Sequence, residues 1–188
     1  MKRTIITPAA LVPTALAELK NWLGIAATTT GDDAGLTALL RAALDGCEAF
    51  TGALPLLCTC EEVIGPGPDW QGLVAGPVQV VSGVQGFGPG LPRADLPAAA
   101  YAIDLSAEGG GRVRILAPGP ATRFAVRFQA GLAADWAGLP DGLRHGIVRL
   151  AAHGYRQRDV QGEGIGPAVV PPPAVAALWR PWRGVRLL

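Results

Sequence analysis

The chain has 188 residues, a formal net charge of +1 and only 16% charged residues. That length suits one core with appendages, and so small a charge excludes a field able to hold the whole protein on nucleic acid or an anionic membrane. Mean hydropathy is positive at +0.30, but it comes from dispersed Ala and Leu, and no stretch reaches the ~20 apolar residues of a membrane helix, so a soluble protein is expected.

The opening Met1-Lys2-Arg3, followed by an apolar run to Ala15-Leu16-Ala17, mimics a signal peptide. Pro8 and Pro13 argue against a helical apolar segment, and Leu16, Leu19 and Leu23 continue one helical face across the supposed cut, so the segment is expected to be retained. Thr14 can cap a helix over about 14–24, closed by Gly24. Asp32 or Asp33 can cap a second, over about 33–51, in which Leu36, Leu39, Leu40, Ala43, Cys47 and Phe50 recur at helical spacing before Gly52 and Pro55.

From about 56 to 131 the period changes to two. Phe124, Val126 and Phe128 alternate with Arg123, Arg127 and Gln129, the pattern of a half-buried strand. Weaker alternation at 57–64, 78–84, 101–105 and 112–116, broken by Gly/Pro-rich turns, predicts further strands, and their short connections imply antiparallel pairing. Pro140 and Asp141 open a third helix to about Arg158, with Leu143, Ile147, Leu150, Ala151 and Tyr155 on its apolar stripe. Gly162 to Pro167 is expected to be flexible and Pro171-Pro172-Pro173 extended, and Val175, Leu178, Trp179 and Trp182 mark a last short helix. The expected fold class is therefore α+β: a small helical bundle with an inserted antiparallel β-sheet region and an extended C-terminal arm. The expected division is one domain over 1–168 and an arm over 169–188. No internal repeat is visible.

Residues that could carry chemistry are sparse, and no catalytic, cofactor-binding or metal site is expected. His145 and His153, the only histidines, lie eight residues apart on one predicted helix and cannot form an i, i+4 metal pair. Cys47, Cys58 and Cys60 are too few for a disulfide framework and fit a reducing cytoplasm. Cys58-x-Cys60 has no companion ligands nearby and reads as two small residues on one strand face. Ser82 and Ser106 lack the context of an activated nucleophile. Gly86-Phe87-Gly88-Pro89-Gly90 and Gly162-Glu163-Gly164-Ile165-Gly166 do not open a helix after a strand, as a phosphate loop must, and are read as flexible loops. The segment Trp179-Arg180-Pro181-Trp182-Arg183-Gly184-Val185-Arg186 is the most suggestive, since Trp and Arg dominate interfaces and can also stack on bases. Its plain alternative is a terminal helix burying its tryptophans.

The order of motifs resembles the head-tail connector (adaptor) proteins of tailed bacteriophages and phage-like gene transfer agents. The likeness rests on Leu16-Ala17-Glu18-Leu19-Lys20-Asn21-Trp22-Leu23-Gly24-Ile25, then Asp32-Asp33, Leu39-Leu40, Ala43, Glu48, Thr51 and Gly52. It continues through Pro77 to Val84, Tyr101-Ala102-Ile103-Asp104, Phe128-Gln129-Ala130-Gly131, Leu139-Pro140, Ala151 to Arg158 and the closing Ala174 to Leu187, while 66–70 and 85–98 depart from the pattern.

The resemblance implies a structural protein without turnover: a dodecameric ring between the portal of a capsid and the next neck (stopper) or tail component, with a lumen for double-stranded DNA. The expected place is the neck of a virion or phage-like particle assembled in the bacterial cytoplasm. The expected partners are the portal, the distal neck or tail protein, further copies of the chain, and DNA passing without sequence-specific binding, with no membrane and no cofactor. Trp179, Arg180, Trp182, Arg183, Arg186, Leu187 and Leu188 are the candidate portal-binding residues, on an arm held apart from the domain core. The competing function is a nucleic-acid-binding module using the same Arg/Trp-rich C-terminus.

Overall fold

The computed structural model describes residues 3–158 and 171–184, and it is α+β, as the switch of sequence period implies. The chain divides into two compact units, one formed by Met1–Ala9 with Leu56–Leu132 and the other by Ala10–Pro55 with Ala133–Leu188. The first holds the strands and the second the helices.

The β unit contains β1 (Arg3–Thr7), β2 (Cys58–Ile64), β3 (Gln71–Gly72), β4 (Val78–Gly88), β5 (Leu91–Asp95), β6 (Tyr101–Leu105), β7 (Gly111–Ile115) and β8 (Arg123–Ala130). They form a five-stranded sheet in the order β1-β2-β8-β4-β5 and a three-stranded sheet in the order β3-β7-β6, with antiparallel pairing throughout. The strongest alternation in the sequence belongs to β8, the middle strand. Its register sets Phe124, Val126, Phe128 and Ala130 beside Ile64, Glu62, Cys60 and Cys58 of β2, and all eight are buried. The opposite face shows Arg123, Arg127 and Gln129 to solvent, so a slip of one residue would exchange the two sets.

One member of that buried row is a carboxylate. Glu62 is 0% exposed, a position tolerable for a charge only if its oxygens are well supplied with donors. The backbone supplies them: the Val74 N–H donates to both carboxylate oxygens at 2.9 and 3.1 Å, and the Ala75 N–H donates to Oε1 at 2.8 Å. Glu62 thereby holds the segment after β3 against β2. On the other face, Arg93 of β5 donates to both oxygens of Glu61 at 2.8 and 3.0 Å, although β8 and β4 lie between their strands. Three strand spacings in a flat sheet amount to about 14 Å, beyond the joint reach of the two side chains, so the sheet must be strongly curled.

Sequence reasoning missed three strands. The Pro-punctuated leader contains β1, which pairs with β2 with a register shift between Ile5 and Thr7, β3 has only two residues, and β5 buries none of its side chains and so shows no period. The first Gly-rich run is also corrected: Gly86-Phe87-Gly88 is strand, the end of β4. A Cβ on Gly86 would stand 2.9 Å from Ala121 and from Leu96, and one on Gly88 would stand 2.9 Å from Thr122, so these glycines serve close packing. The second run, 162–166, lies outside the described residues.

The helical unit contains α1 (Pro13–Leu23), α2 (Asp33–Thr51), α3 (Asp141–Arg158) and α4 (Pro173–Trp179). Pro13 rather than Thr14 starts α1, with Val12 as the residue before it, since proline's fixed φ and missing N–H suit the first helical position. Gly24 and Gly52 end α1 and α2 at φ 73 and 79, as their sequence positions predict. The expected Leu stripe on α1 is rotated: Ala15, Leu19 and Lys20 are the buried positions. Lys20 is accommodated because its Nζ donates to Thr29 O at 2.7 Å and pairs with Asp33 Oδ1 at 2.6 Å. Asp32 precedes α2 without a capping bond from its side chain; its Oδ2 accepts from the Tyr155 hydroxyl of α3 at 2.9 Å.

Helix α3 is built to be approached closely. A Cβ at Gly46 of α2 would meet Leu150 at 3.1 Å, and one at Gly154 would meet Leu39 at 3.0 Å. The tightest site is Gly146, where a Cβ would lie 2.1 Å from Nε1 of Trp179. Gly146→Ala should therefore destabilise by about 1–3 kcal/mol, overpacking outweighing the helical gain. Gly35→Ala, where nothing lies within 4 Å, should stabilise by about 0.5–1 kcal/mol. Thermal unfolding of both variants checks this, and equal behaviour would contradict the seat.

Candidate interaction site

The C-terminal segment is where the sequence concentrates interface residues, and the helical unit divides it sharply. Pro173 opens α4, and the helix is long enough to place two side chains inward, Val175 and Trp179. Trp179 is 0% exposed. Its Nε1 donates to the Leu143 carbonyl at 3.3 Å, and its ring lies tilted against Phe50, with centroids 6.0 Å apart. The expectation of an arm held away from the core is therefore corrected at this residue: a large apolar ring with one polar atom found both a cavity and an acceptor within the unit.

Beyond α4 the chain turns through a 3₁₀ segment, Arg180–Trp182. Arg180, Pro181, Trp182 and Arg183 are all exposed, and Trp182 retains 39% of its surface in solvent. The Arg183 guanidinium lies 5.5 Å from the centroid of Phe50, and the Gly184 N–H donates to Thr51 O at 3.2 Å. The turn is thus tied down at both ends, while one indole and two guanidinium groups face outward. Arg186, Leu187 and Leu188 lie outside the described residues.

A second surface of the same unit was not singled out from sequence. Between α1 and α3 runs a groove of about 510 Å³ lined by Glu18, Asn21, Trp22, Asp141, Arg144, His145 and Val148. Trp22, 43% exposed, meets His145 edge-on with centroids 5.0 Å apart. Arg144 binds Asp141 at 2.8 Å and Glu18 at 3.9 Å. Trp22 sits one turn from Leu19, at the margin of the apolar stripe, where spacing alone does not separate a core ring from an exposed one.

The other candidate groups are occupied by packing. Cys58 and Cys60 project to one face of β2 with sulfurs 3.7 Å apart, and among the described residues no cluster of three or more His, Cys, Asp or Glu could hold a metal. The Cys60 thiol is pushed up by its hydrogen bond with Cys58 and by burial, and burial pushes Cys47 up to about 12, so neither offers the thiolate that nucleophilic or redox chemistry requires. Ser82 Oγ donates to Arg127 O at 2.9 Å, and Ser106 Oγ accepts from the Gly110 N–H at 3.1 Å.

Three arginines of the β unit are paired with acids. Arg93 and Arg127 share Glu61, Arg112 pairs with Asp104, and Arg112 and Arg114 flank the Trp70 ring at 5.7 and 4.6 Å. This local pairing disfavours a cationic face of the kind nucleic-acid-binding modules use.

No protein-family model matches the chain, and no curated protein does. Solved structures do, over its whole length. The chain is similar to one in the neck of an empty gene transfer agent (GTA) particle computed with C6 symmetry, with a TM-score of 0.78. It is similar also to one in the virion of a native GTA particle, at 0.75, and to one in the neck of a native GTA particle computed with C12 symmetry, at 0.72. Each is 26% identical, with 100% of this chain and 98% of the other covered.

The packing of the thiols has a direct consequence. A thiol-reactive disulfide reagent should leave Cys47, Cys58 and Cys60 untouched in the native protein and titrate all three after denaturation. Single Cys58→Ser and His153→Asn variants should keep the wild-type circular dichroism and bind no metal. Stoichiometric zinc lost in Cys58→Ser, or rapid native labelling, would contradict this account.

Proposed function

We propose that this chain is a structural neck component of a phage-like or gene transfer agent particle, acting as its head-tail connector. In this reading twelve copies form a ring between the portal and the next neck or tail component, and double-stranded DNA passes through the lumen without sequence-specific binding. The observation that carries it is the end-to-end likeness to chains of GTA particles at 26% identity. A cyclic ring needs two different complementary faces on each copy, and a conduit needs a surface that does not retain a polyanion; the matched arginines of the β unit suit the second requirement. The work is done by assembly, without turnover, and assembly would take place in the bacterial cytoplasm.

Portal contact is assigned to the outward turn Arg180, Trp182 and Arg183, continued by Arg186, Leu187 and Leu188, with Trp179 as the buried seat that aims it. An exposed indole beside two guanidinium groups has the chemistry of an interface hot spot, in which the ring fills a pocket and the forks bind carboxylates or carbonyls. The triple variant Arg180→Ala/Trp182→Ala/Arg183→Ala should keep the wild-type melting temperature within a few degrees. Its affinity for the portal protein should fall at least ~30-fold, corresponding to ~2 kcal/mol for the ring alone. Unchanged co-purification with the portal would refute the assignment.

The isolated chain should be monomeric or form small oligomers at low concentration and assemble as concentration rises or the portal is added, because mass action governs a ring of modest interfaces. Mass photometry at nanomolar concentration tests this. A ring that persists there would contradict it.

A further inference from the structure

Among the described residues four strand edges of the β unit are open in their sheets, those of β1, β5, β3 and β6, and unprotected edges are templates for pairing with another chain. They are guarded unequally. β5 carries Pro92, Arg93 and Asp95, devices that discourage strand addition. β3 has only two residues. β6 has five, Tyr101–Leu105, with no proline and no bulge in its register.

The hydrogen-bond pattern shows what that edge offers. The Leu116 N–H donates to Ala100 O and the Ser106 N–H to Gly110 O, both at 2.8 Å. In an antiparallel pair, bonded and non-bonded positions alternate. With the register running from Tyr101↔Ile115 to Leu105↔Gly111, Ala102 and Asp104 are therefore the residues bonded to β7. Tyr101, Ile103 and Leu105 turn their N–H and C=O groups to the open edge. Ile103 and Leu105 also leave 40% and 42% of their side chains exposed.

We propose that the β6 edge receives a strand from a second copy of this chain, and that the strand is β1. The inference rests on the ring reading. The similar chains sit in assemblies computed with C6 and C12 symmetry, and cyclic closure requires a contact between two different surfaces. β1 is the remaining open edge. It holds exposed Ile5 and Ile6, no proline and no acidic residue, and a regular stretch Arg3–Ile5 ahead of its register shift. Pairing of β6 with β1 of a neighbour joins two apolar edges, consumes the outward backbone groups and leaves one free edge of each kind at the ends of a growing arc.

Sedimentation of the full chain over a concentration series tests this with variants that spare the fold. In Ile103→Pro the lost N–H is one that β7 does not use, and Ile103→Lys keeps the backbone and adds a charge at the edge. Both should keep the wild-type circular dichroism and weaken self-association at least tenfold. Ile5→Lys/Ile6→Lys should do the same, and an equal mixture of it with Ile103→Lys should form dimers and nothing larger, because each partner keeps one intact edge. The inference is overturned if Ile103→Lys assembles like wild type, if Ile5→Lys/Ile6→Lys dimerises alone, or if the wild type stays monomeric at all concentrations. Portal co-purification separates this from the neck reading. A wild type that binds portal but assembles regardless of Ile103 loses only the edge, whereas one that neither assembles nor binds portal loses both.

Discussion

The direction in which the C-terminal turn faces depends on one contact, the indole of Trp179 against a helical position without a side chain. Glycine inside a helix costs about 1 kcal/mol relative to alanine, and at Gly146 that cost is offset by burial of a complete tryptophan ring. An indole N–H left unpaired in such surroundings would cost about 1–3 kcal/mol. The Leu143 carbonyl accepts it, using the second lone pair that a helical carbonyl retains. With the ring fixed, Phe50 packs on it, Arg183 lies over Phe50, and the Gly184 N–H reaches Thr51. A short helix of seven residues would be marginal alone; in this setting it is a rigid mount.

Charge is handled by the same economy in both units. Glu62 and Lys20 are buried ions answered mainly by backbone groups: N–H donors for the carboxylate, and carbonyls together with Asp33 for the ammonium. Exposed Arg127 and Arg112 are answered by acids of adjacent strands, and Arg93 by Glu61 across the curl of the sheet. Such surface pairs add little stability, but they cancel the local potential. A small net charge is thereby small in detail too across the paired positions of the β unit.

Long periodic segments were legible in the sequence, and positions decided by three-dimensional context were not. α2, α3 and β8 carry enough periods to declare themselves, and Gly24 and Gly52 mark helix ends by a backbone requirement that only φ > 0 satisfies. β1, β3 and β5 are edge strands of five residues or fewer, so their side chains carry little of the burial from which a period is read. Gly86 and Gly88 mimic a loop because close packing against Ala121 and Thr122 selects the same residue that flexibility does. Within the C-terminal segment, composition identified an interface-rich stretch but could not decide which tryptophan turns inward, since that depends on Gly146, thirty-odd positions earlier.

The interleaving of the two units governs the order in which the chain can fold as it is made. α1 and α2 precede the strands, whereas α3 and α4, which complete their unit, follow them. At about 5–20 residues per second, the ribosome needs several seconds between finishing α2 and releasing α3. Throughout that interval Leu36, Leu40, Ala43 and Cys47 have at most α1 beside them, and neither α3 nor α4 to complete their cover. The large sheet waits as well, because its middle strand β8 is the last to emerge. The β unit therefore closes first, when β8 arrives, and its closure brings Pro55 and Ala133, joined by a 3.1 Å backbone hydrogen bond, to the point from which α3 can dock. In this architecture the insert is a folding clamp as well as a module, since it converts a long loop into a short one before the helices meet.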